Sequence, residues 1–128
     1  MLDEALSLGL LCNTAAVLSL TLGKKIDGLI DKDLVDASGR VHTGLTNTPL
    51  PILKTSEMEV KKILQEAGLE KDILVVDITD AAQTTKNYKD YEEKLKGKKT
   101  EELKVLGIAL AGTQKQVKSL TGNLGLLR

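Results

Sequence analysis

The spacing of apolar residues predicts four helices along the chain. Apolar side chains recur at helical intervals from Leu8 to Leu22, and Gly23 is a plausible end for that helix. Capping boxes and amphipathic spacing predict three more helices: one beginning at Ser56 and Glu59 and ending at Gly68, one over residues 87–96, and one beginning at Thr113 and Gln116 and ending near Gly122.

Short, continuous apolar segments predict the strands between these helices. Ile73–Ile78 is rich in β-branched residues and is expected to be a buried strand, and Val105–Leu110 is expected to be a second one. Ile52–Lys54 follows two prolines and is expected to be extended. Leu34–His42 resembles a small hairpin with a turn at Ser38 and Gly39. Because strands alternate with helices, the pattern favours a layered α/β domain.

Length and composition limit the classes of function. A chain of 128 residues is expected to form a single domain, residues 1–128. With two Tyr, no Phe and no Trp, the core must consist of aliphatic side chains, and stacking of nucleobases on aromatic residues is not expected. The single Cys12 excludes an intrachain disulfide and is expected to be a packed thiol. We expect no membrane span, because the apolar stretches are short, and a cytoplasmic location, because no basic-plus-apolar signal segment opens the chain and a single cysteine fits a reducing compartment.

The charges are unevenly distributed although the net charge is zero. Residues 1–80 contain eight basic and thirteen acidic residues, a net charge of −5, whereas residues 81–128 contain ten basic and five acidic residues, a net charge of +5. A basic half could hold phosphates. We favour the simpler interpretation for the lysines that lie between acidic residues, which is a solvated surface run: Lys94, Lys96, Lys98 and Lys99.

The most informative segment follows the strand at residues 73–78. Asp80 comes directly after this strand and Thr84 lies four residues later, which places a carboxylate and a hydroxyl at the carboxyl edge of a sheet. Open α/β sheets bind ligands at that edge. Two hypotheses remain open: Asp80 caps a helix, or it orients a water molecule or a sugar hydroxyl with help from Thr84. No cofactor or metal motif is present, and His42 has no second ligand near it in the sequence.

Three segments together resemble type II peptidyl-tRNA hydrolases, and more closely an uncharacterised bacterial family with the same fold. They are Gly9–Ala16, Asp80–Thr84, and Val105–Ile108 with the later Leu120–Leu124. The resemblance implies a three-layer α/β/α fold with a mixed sheet of about four strands, and a homodimer. It also implies a hydrolase of ester-linked substrates, with tRNA or a small molecule as a partner.

The resemblance places the hydrolase's aspartate at Asp80 and its first threonine at Thr84. The essential lysine falls at Leu10, which carries no charge, and a second threonine falls at Lys104. We therefore consider Asp80, Thr84 and Lys104 as catalytic candidates, with Lys104 supplying the missing ammonium. The alternative is a non-catalytic, dimeric binding protein on the same scaffold.

The first residues depart from the resembling family. That family begins with an apolar central strand, whereas only Met1 and Leu2 precede Asp3 here. Loss of a central strand would leave two strand edges unpaired. Either the natural chain starts further upstream, or this remnant is completed in some other way.

Overall fold

The computed structural model describes residues 1–128. The helices are α1 (Leu8–Lys25), α2 (Glu57–Leu69), α3 (Asp80–Gln83), α4 (Tyr88–Lys96) and α5 (Gln114–Thr121). The strands are β1 (Leu2–Asp3), β2 (Leu34–Val35), β3 (Val41–His42), β4 (Leu53–Thr55), β5 (Leu74–Thr79), β6 (Val105–Ala111) and β7 (Gly125–Leu126). A single 3₁₀ turn, Thr100–Glu102, precedes β6.

The strands form a mixed five-stranded sheet in the order β5–β6–β1–β4–β7, and β2 and β3 form a separate hairpin. Strands β1 and β4 are parallel, and the other neighbours are antiparallel. The predicted α/β class, the mixed sheet and the hairpin are confirmed. The expected number of about four strands was too low, because two-residue strands such as β7 are too short to produce an alternating pattern.

Residues 1–3 occupy the centre of the sheet. The amino group of Met1 donates a hydrogen bond to the carbonyl of Ile108 at 2.7 Å, and the Ile108 N–H donates to the Met1 carbonyl at 2.9 Å. Leu2 lies opposite Gly107 on one side and Lys54 on the other. The short remnant therefore joins β6 to β4, so neither of these strands has an unpaired edge along β1.

Helices α1 and α2 cover opposite faces of the sheet, since successive strand residues point to opposite sides. Ile108 packs with Val60 and Ile63 of α2, whereas Gly107 faces α1. A Cβ atom on Gly107 would lie 2.8 Å from a methyl carbon of Thr14 and 2.8 Å from one of Leu2. Glycine at this position thus allows α1 and β1 to pack directly against β6.

Several predicted boundaries needed correction. Helix α1 does not end at Gly23 but continues to Lys25. The left-handed glycine conformation that would mark a helix end occurs instead at Gly28, where φ is +74°. The Ser–Gly turn of the hairpin is confirmed, and Gly39 has φ +83°. The other predicted strands and helices are present, with ends displaced by one or two residues.

Helix α5 begins with a complete capping box, which provides a stability prediction. The Thr113 hydroxyl accepts a hydrogen bond from the Gln116 N–H at 3.3 Å, and the Gln116 side chain accepts from the Thr113 N–H at 3.1 Å. Thr113→Ala should therefore lower the free energy of unfolding by about 1 kcal/mol in urea titrations. The exposed Thr43, which makes no side-chain hydrogen bond, is the matched control. Equal losses in both alanine variants would contradict the capping role.

Candidate functional site

The carboxyl ends of β1, β4 and β5 and the beginning of β6 meet at one edge of the sheet. This follows from the strand directions, because β6 is antiparallel to both β1 and β5. Four charged residues lie at this edge: Asp3, Glu57, Asp80 and Lys104. The fold thus brings together side chains that are far apart in the sequence.

Asp80 is the first residue of α3, and its carboxylate is bound by two other segments. One oxygen accepts a hydrogen bond from the Lys98 ammonium at 3.2 Å, and the other accepts from the Lys104 backbone N–H at 3.2 Å. The Asp80 N–H in turn donates to the Lys104 carbonyl at 2.9 Å. The residue that precedes α3 is Thr79, so Asp80 is not the helix cap. The capping hypothesis was therefore wrong.

These contacts determine the protonation state of Asp80. Partial burial raises the pKa of the carboxyl group, but this is outweighed by the Lys98 and Lys104 hydrogen bonds and by the charges of Lys98 and Lys94. The net result is a pKa below the ordinary value. Asp80 is thus an ionised hydrogen-bond acceptor at neutral pH, and a weaker base than a free carboxylate.

Thr84 lies one turn after Asp80. Its hydroxyl donates a hydrogen bond to the Asp80 carbonyl at 2.8 Å and accepts one from the ammonium of Lys94 on α4. Because the hydroxyl proton is already engaged by the backbone, Thr84 holds Lys94 in place. It does not present a free hydroxyl to a water molecule.

The side chain of Lys104 points away from Asp80. Its ammonium lies 3.8 Å from the Asp3 carboxylate and 4.0 Å from that of Glu57. The Asp3 side chain is only 3% exposed and also accepts a hydrogen bond from the Ala5 N–H at 3.1 Å. Lys104 thus donates its backbone N–H to the Asp80 carboxylate, whereas its ammonium group pairs with the buried Asp3.

The sequence did not identify Lys98 or Lys94 as site residues. Both belong to the lysine run that was expected to be solvated, and for these two residues that interpretation was wrong. The Lys98 side chain is 29% exposed and paired, whereas Lys96, at 71% exposure, forms a surface ion pair with Glu92. Alternating Lys and Glu gives no local signal that distinguishes the two cases, because the distinction depends on how α4 packs beside α3.

A groove of about 420 Å³ lies next to the Asp80 segment. It is bounded by α1, the free edge of β5, and α4, and seven of its twelve lining residues are apolar. Both aromatic residues of the chain line it: the rings of Tyr88 and Tyr91 meet edge to face at 5.7 Å. Burial, followed by the negative charge of Asp77, raises the pKa of Tyr91.

The remaining candidates lie elsewhere. Cys12 is exposed on α1, so the expected packed thiol was wrong. His42 lies in the hairpin, 3.2 Å from Asp36, and its hydrogen bond is the main reason why the pKa of Asp36 is lowered. No three His, Cys, Asp or Glu side chains are close enough to hold a metal ion. None of the helices combines the length and apolarity needed to cross a membrane.

A family model described as a protein of unknown function, DUF2000, matches residues 1–128. The chain belongs to the DUF2000 family. The predicted membership of an uncharacterised family is thereby confirmed, whereas the resemblance to peptidyl-tRNA hydrolases stays a prediction.

A solved structure similar to this DUF2000 chain is that of Atu0240, a protein of unknown function from Agrobacterium tumefaciens str. C58. The TM-score is 0.85 at 21% sequence identity, and the match covers 99% of this chain and 93% of that one. At this identity the likeness shows the fold alone. No curated protein matches the sequence.

Proposed function

We propose that this DUF2000 protein hydrolyses ester-linked substrates such as peptidyl-tRNA, on a three-layer fold of the type II peptidyl-tRNA hydrolase kind. The observation that carries the proposal is the Asp80 carboxylate, held at the sheet edge between the Lys98 ammonium and the Lys104 N–H. Lys98 takes the place of the lysine for which the sequence has Leu10. The sequence suggested Lys104 for this role, but the Lys104 ammonium lies beside Asp3, so we assign the role to Lys98.

The protonation state of Asp80 suggests a separate role for the carboxylate and for the lysine ammonium groups in the reaction. A carboxylate with a lowered pKa is a poor proton acceptor, so Asp80 orients the attacking water by accepting its hydrogen bond. The water oxygen bonds to the ester carbonyl carbon, and negative charge develops on the carbonyl oxygen. The ammonium groups of Lys98 and Lys94 stabilise that charge. The ester C–O bond then breaks, and the proton released by the water passes to the departing alkoxide oxygen, which leaves as a hydroxyl group.

The groove beside α4 would take the acyl part of the substrate. Its walls are mainly apolar, and Ala82 and Thr85 belong to the same segment as Asp80 and Thr84. An acyl chain in the groove would therefore have its ester carbonyl near the Asp80 carboxylate. A volume of about 420 Å³ is within the ordinary range of ligand sites, roughly 300–1,000 Å³.

Release of tRNA from peptidyl-tRNA by the purified protein tests the proposal. Asp80→Asn and Lys98→Gln should each lower kcat/KM by about 100-fold or more, since each removes a group that contacts the reacting atoms. Lys96→Gln is the matched control, because Lys96 pairs only with Glu92 at the surface and should leave the rate unchanged. Lys104→Gln separates the two lysines, and its effect should be smaller than that of Lys98→Gln.

The alternative function is that of a non-catalytic, dimeric binding protein. It is favoured by Leu10, an uncharged and partly exposed side chain at the position of the expected lysine. If the folded wild-type protein released no tRNA, the peptidyl-tRNA hypothesis would be wrong. Turnover that survived Asp80→Asn would place any hydrolysis outside this site.

A further inference from the structure

We infer that the acyl part of the substrate is a peptide, which binds in an extended conformation as an additional strand along the free edge of β5 and parallel to it. The inference rests on the proposed function, because the ester carbonyl of such a peptide must reach Asp80. Strand β5 lies at the end of the sheet and pairs only with β6. The backbone groups of residues 74–79 form no backbone hydrogen bond outside this pairing.

The pairing of β6 with β1 shows which residues of β5 direct their backbone groups outward. The Ile108 N–H donates to the Met1 carbonyl at 2.9 Å, and the Ile108 carbonyl accepts from the Met1 amino group at 2.7 Å. Both backbone groups of Ile108 therefore point away from β5. Asp77 lies opposite Ile108, so the N–H and C=O of Asp77 point to the free edge. Because the pattern alternates, those of Val75 do the same.

The edge of β5 lacks most of the features that prevent strand addition. Strand β5 has six residues and contains neither proline nor lysine, whereas β7 at the other edge has only two residues. The exposed Asp77 is its one charged residue, and the irregularity in its ladder lies at its end, between Ile78 and Thr79. Folded proteins usually shorten, charge, cover or kink such an edge. The chemistry that complements alternating free donors and acceptors is a second extended peptide backbone.

The groove beside α4 supplies the space for the added strand. Its lining includes Val76, Asp77 and Ile78 of β5, and α1 and α4 form its walls. Successive side chains of an extended peptide point to opposite sides. Every second side chain of the bound peptide would therefore lie against the apolar wall that Val17 and Leu18 of α1 provide. Recognition would depend mainly on the peptide backbone, and only weakly on its sequence.

The charged groups determine the direction of the peptide. Strand β5 runs toward Asp80, so a peptide with its C-terminal ester carbonyl at Asp80 must run parallel to β5. The ammonium groups of Lys94 and Lys98 lie at this end, on Thr84 and Asp80, and suit the phosphates of the nucleic acid that the ester carries. Residues 73–79 contain no basic residue. At about 3.3 Å per residue, a peptide of about five residues would extend past both outward-facing positions.

Isothermal titration calorimetry with a pentapeptide amide of alternating leucine and alanine tests strand addition without any need for hydrolysis. A single N-methyl group is placed in turn on each internal amide nitrogen of the peptide. Methylation at every second position should raise Kd at least about tenfold, because it removes a hydrogen bond to β5 and places a methyl group against the strand. Methylation at the positions between should change Kd less than about twofold. Equal effects at neighbouring positions, or no binding of the unmethylated peptide, would overturn strand addition.

A change in the protein tests the same hydrogen bonds from the other side. Asp77→Pro removes the outward N–H, and edge strands tolerate proline where the N–H faces solvent. This variant should bind the unmethylated peptide at least about tenfold more weakly than Asp77→Ala, which also lacks the carboxylate but keeps the N–H. Circular dichroism checks that both are folded. Equal affinities of the two folded variants would contradict pairing at this position.

Hydrogen exchange of the unmodified protein locates the peptide even if the proline variant does not fold. The amides of Val75 and Asp77 should exchange more slowly when the pentapeptide amide is bound, because they acquire acceptors. Unchanged exchange at both amides, with the peptide bound, would place it elsewhere and overturn the inference.

The strand site and the proposed hydrolysis can fail separately. Alternating effects of N-methylation without release of tRNA from peptidyl-tRNA would support peptide binding at β5 and contradict ester hydrolysis. Release of tRNA that depends on Asp80, together with no alternation in the peptide series, would support hydrolysis and overturn strand addition.

Discussion

Replacement of Ile108 by alanine should lower the free energy of unfolding by about 3–4 kcal/mol, the largest stability effect that we expect from one side chain. Ile108 is completely buried and packs with Val60, Ile63 and Val105. Its strand, β6, is paired on both sides, with β5 and with β1. A cavity at this position is bounded by two strands and a helix that cannot collapse into it, so most of the lost contacts would stay lost.

Urea denaturation monitored by circular dichroism measures this effect. Ile30→Ala, at a position that is 53% exposed, is the matched control and should change the free energy of unfolding by less than about 1 kcal/mol. Similar losses at the two positions would mean that β6 is not the centre of the core. Ile108 does not contact the Asp80 carboxylate. The folded fraction of the variant should therefore keep any hydrolytic activity that the wild-type protein has.

The second large effect is a pH dependence that arises from the amino terminus. In a chain that begins at Met1 with a free amine, burial lowers the pKa of this group from 8.0 to about 6. The unfolded chain therefore binds the proton more tightly than the folded chain. The free energy of unfolding should be highest above pH 8 and should fall as the pH decreases from 8 to 6, by about 2–3 kcal/mol in all. Below about pH 6 this contribution no longer changes.

A chain extended by Gly-Ser before Met1 is the control, because the extension moves the charged amine away from the sheet centre. The difference in free energy of unfolding between the two chains, measured from pH 5.5 to 8.5, should increase as the pH falls. Taking this difference removes the contributions of other groups that titrate in the same range. Parallel pH profiles for the two chains would show that the amine is not desolvated by folding.

The sequence by itself determined the longer elements of this protein, because their signals are local. Helical spacing identified α1, the capping residues Ser56 and Thr113 identified the beginnings of α2 and α5, and both hydroxyls do accept the expected hydrogen bonds. The local sequence pattern cannot predict β1 or β7, since a two-residue strand is too short to show an alternating pattern of apolar and polar residues. These strands exist because long-range pairing supplies their hydrogen bonds.

The candidate site likewise contains one residue that the sequence could predict and one that only the tertiary structure shows. Asp80 could be found from the sequence because it directly follows a buried apolar strand, and strand ends converge at a sheet edge. Its cation could not be found, because Lys98 lies eighteen residues away and reaches the carboxylate only through the packing of α4. For the same reason Lys104, adjacent in the sheet, was a plausible choice, although its side chain extends to the buried Asp3. Local sequence determined which side chains stand at the edge, whereas the tertiary structure decided which of them meet, because that depends on directions set by distant parts of the chain.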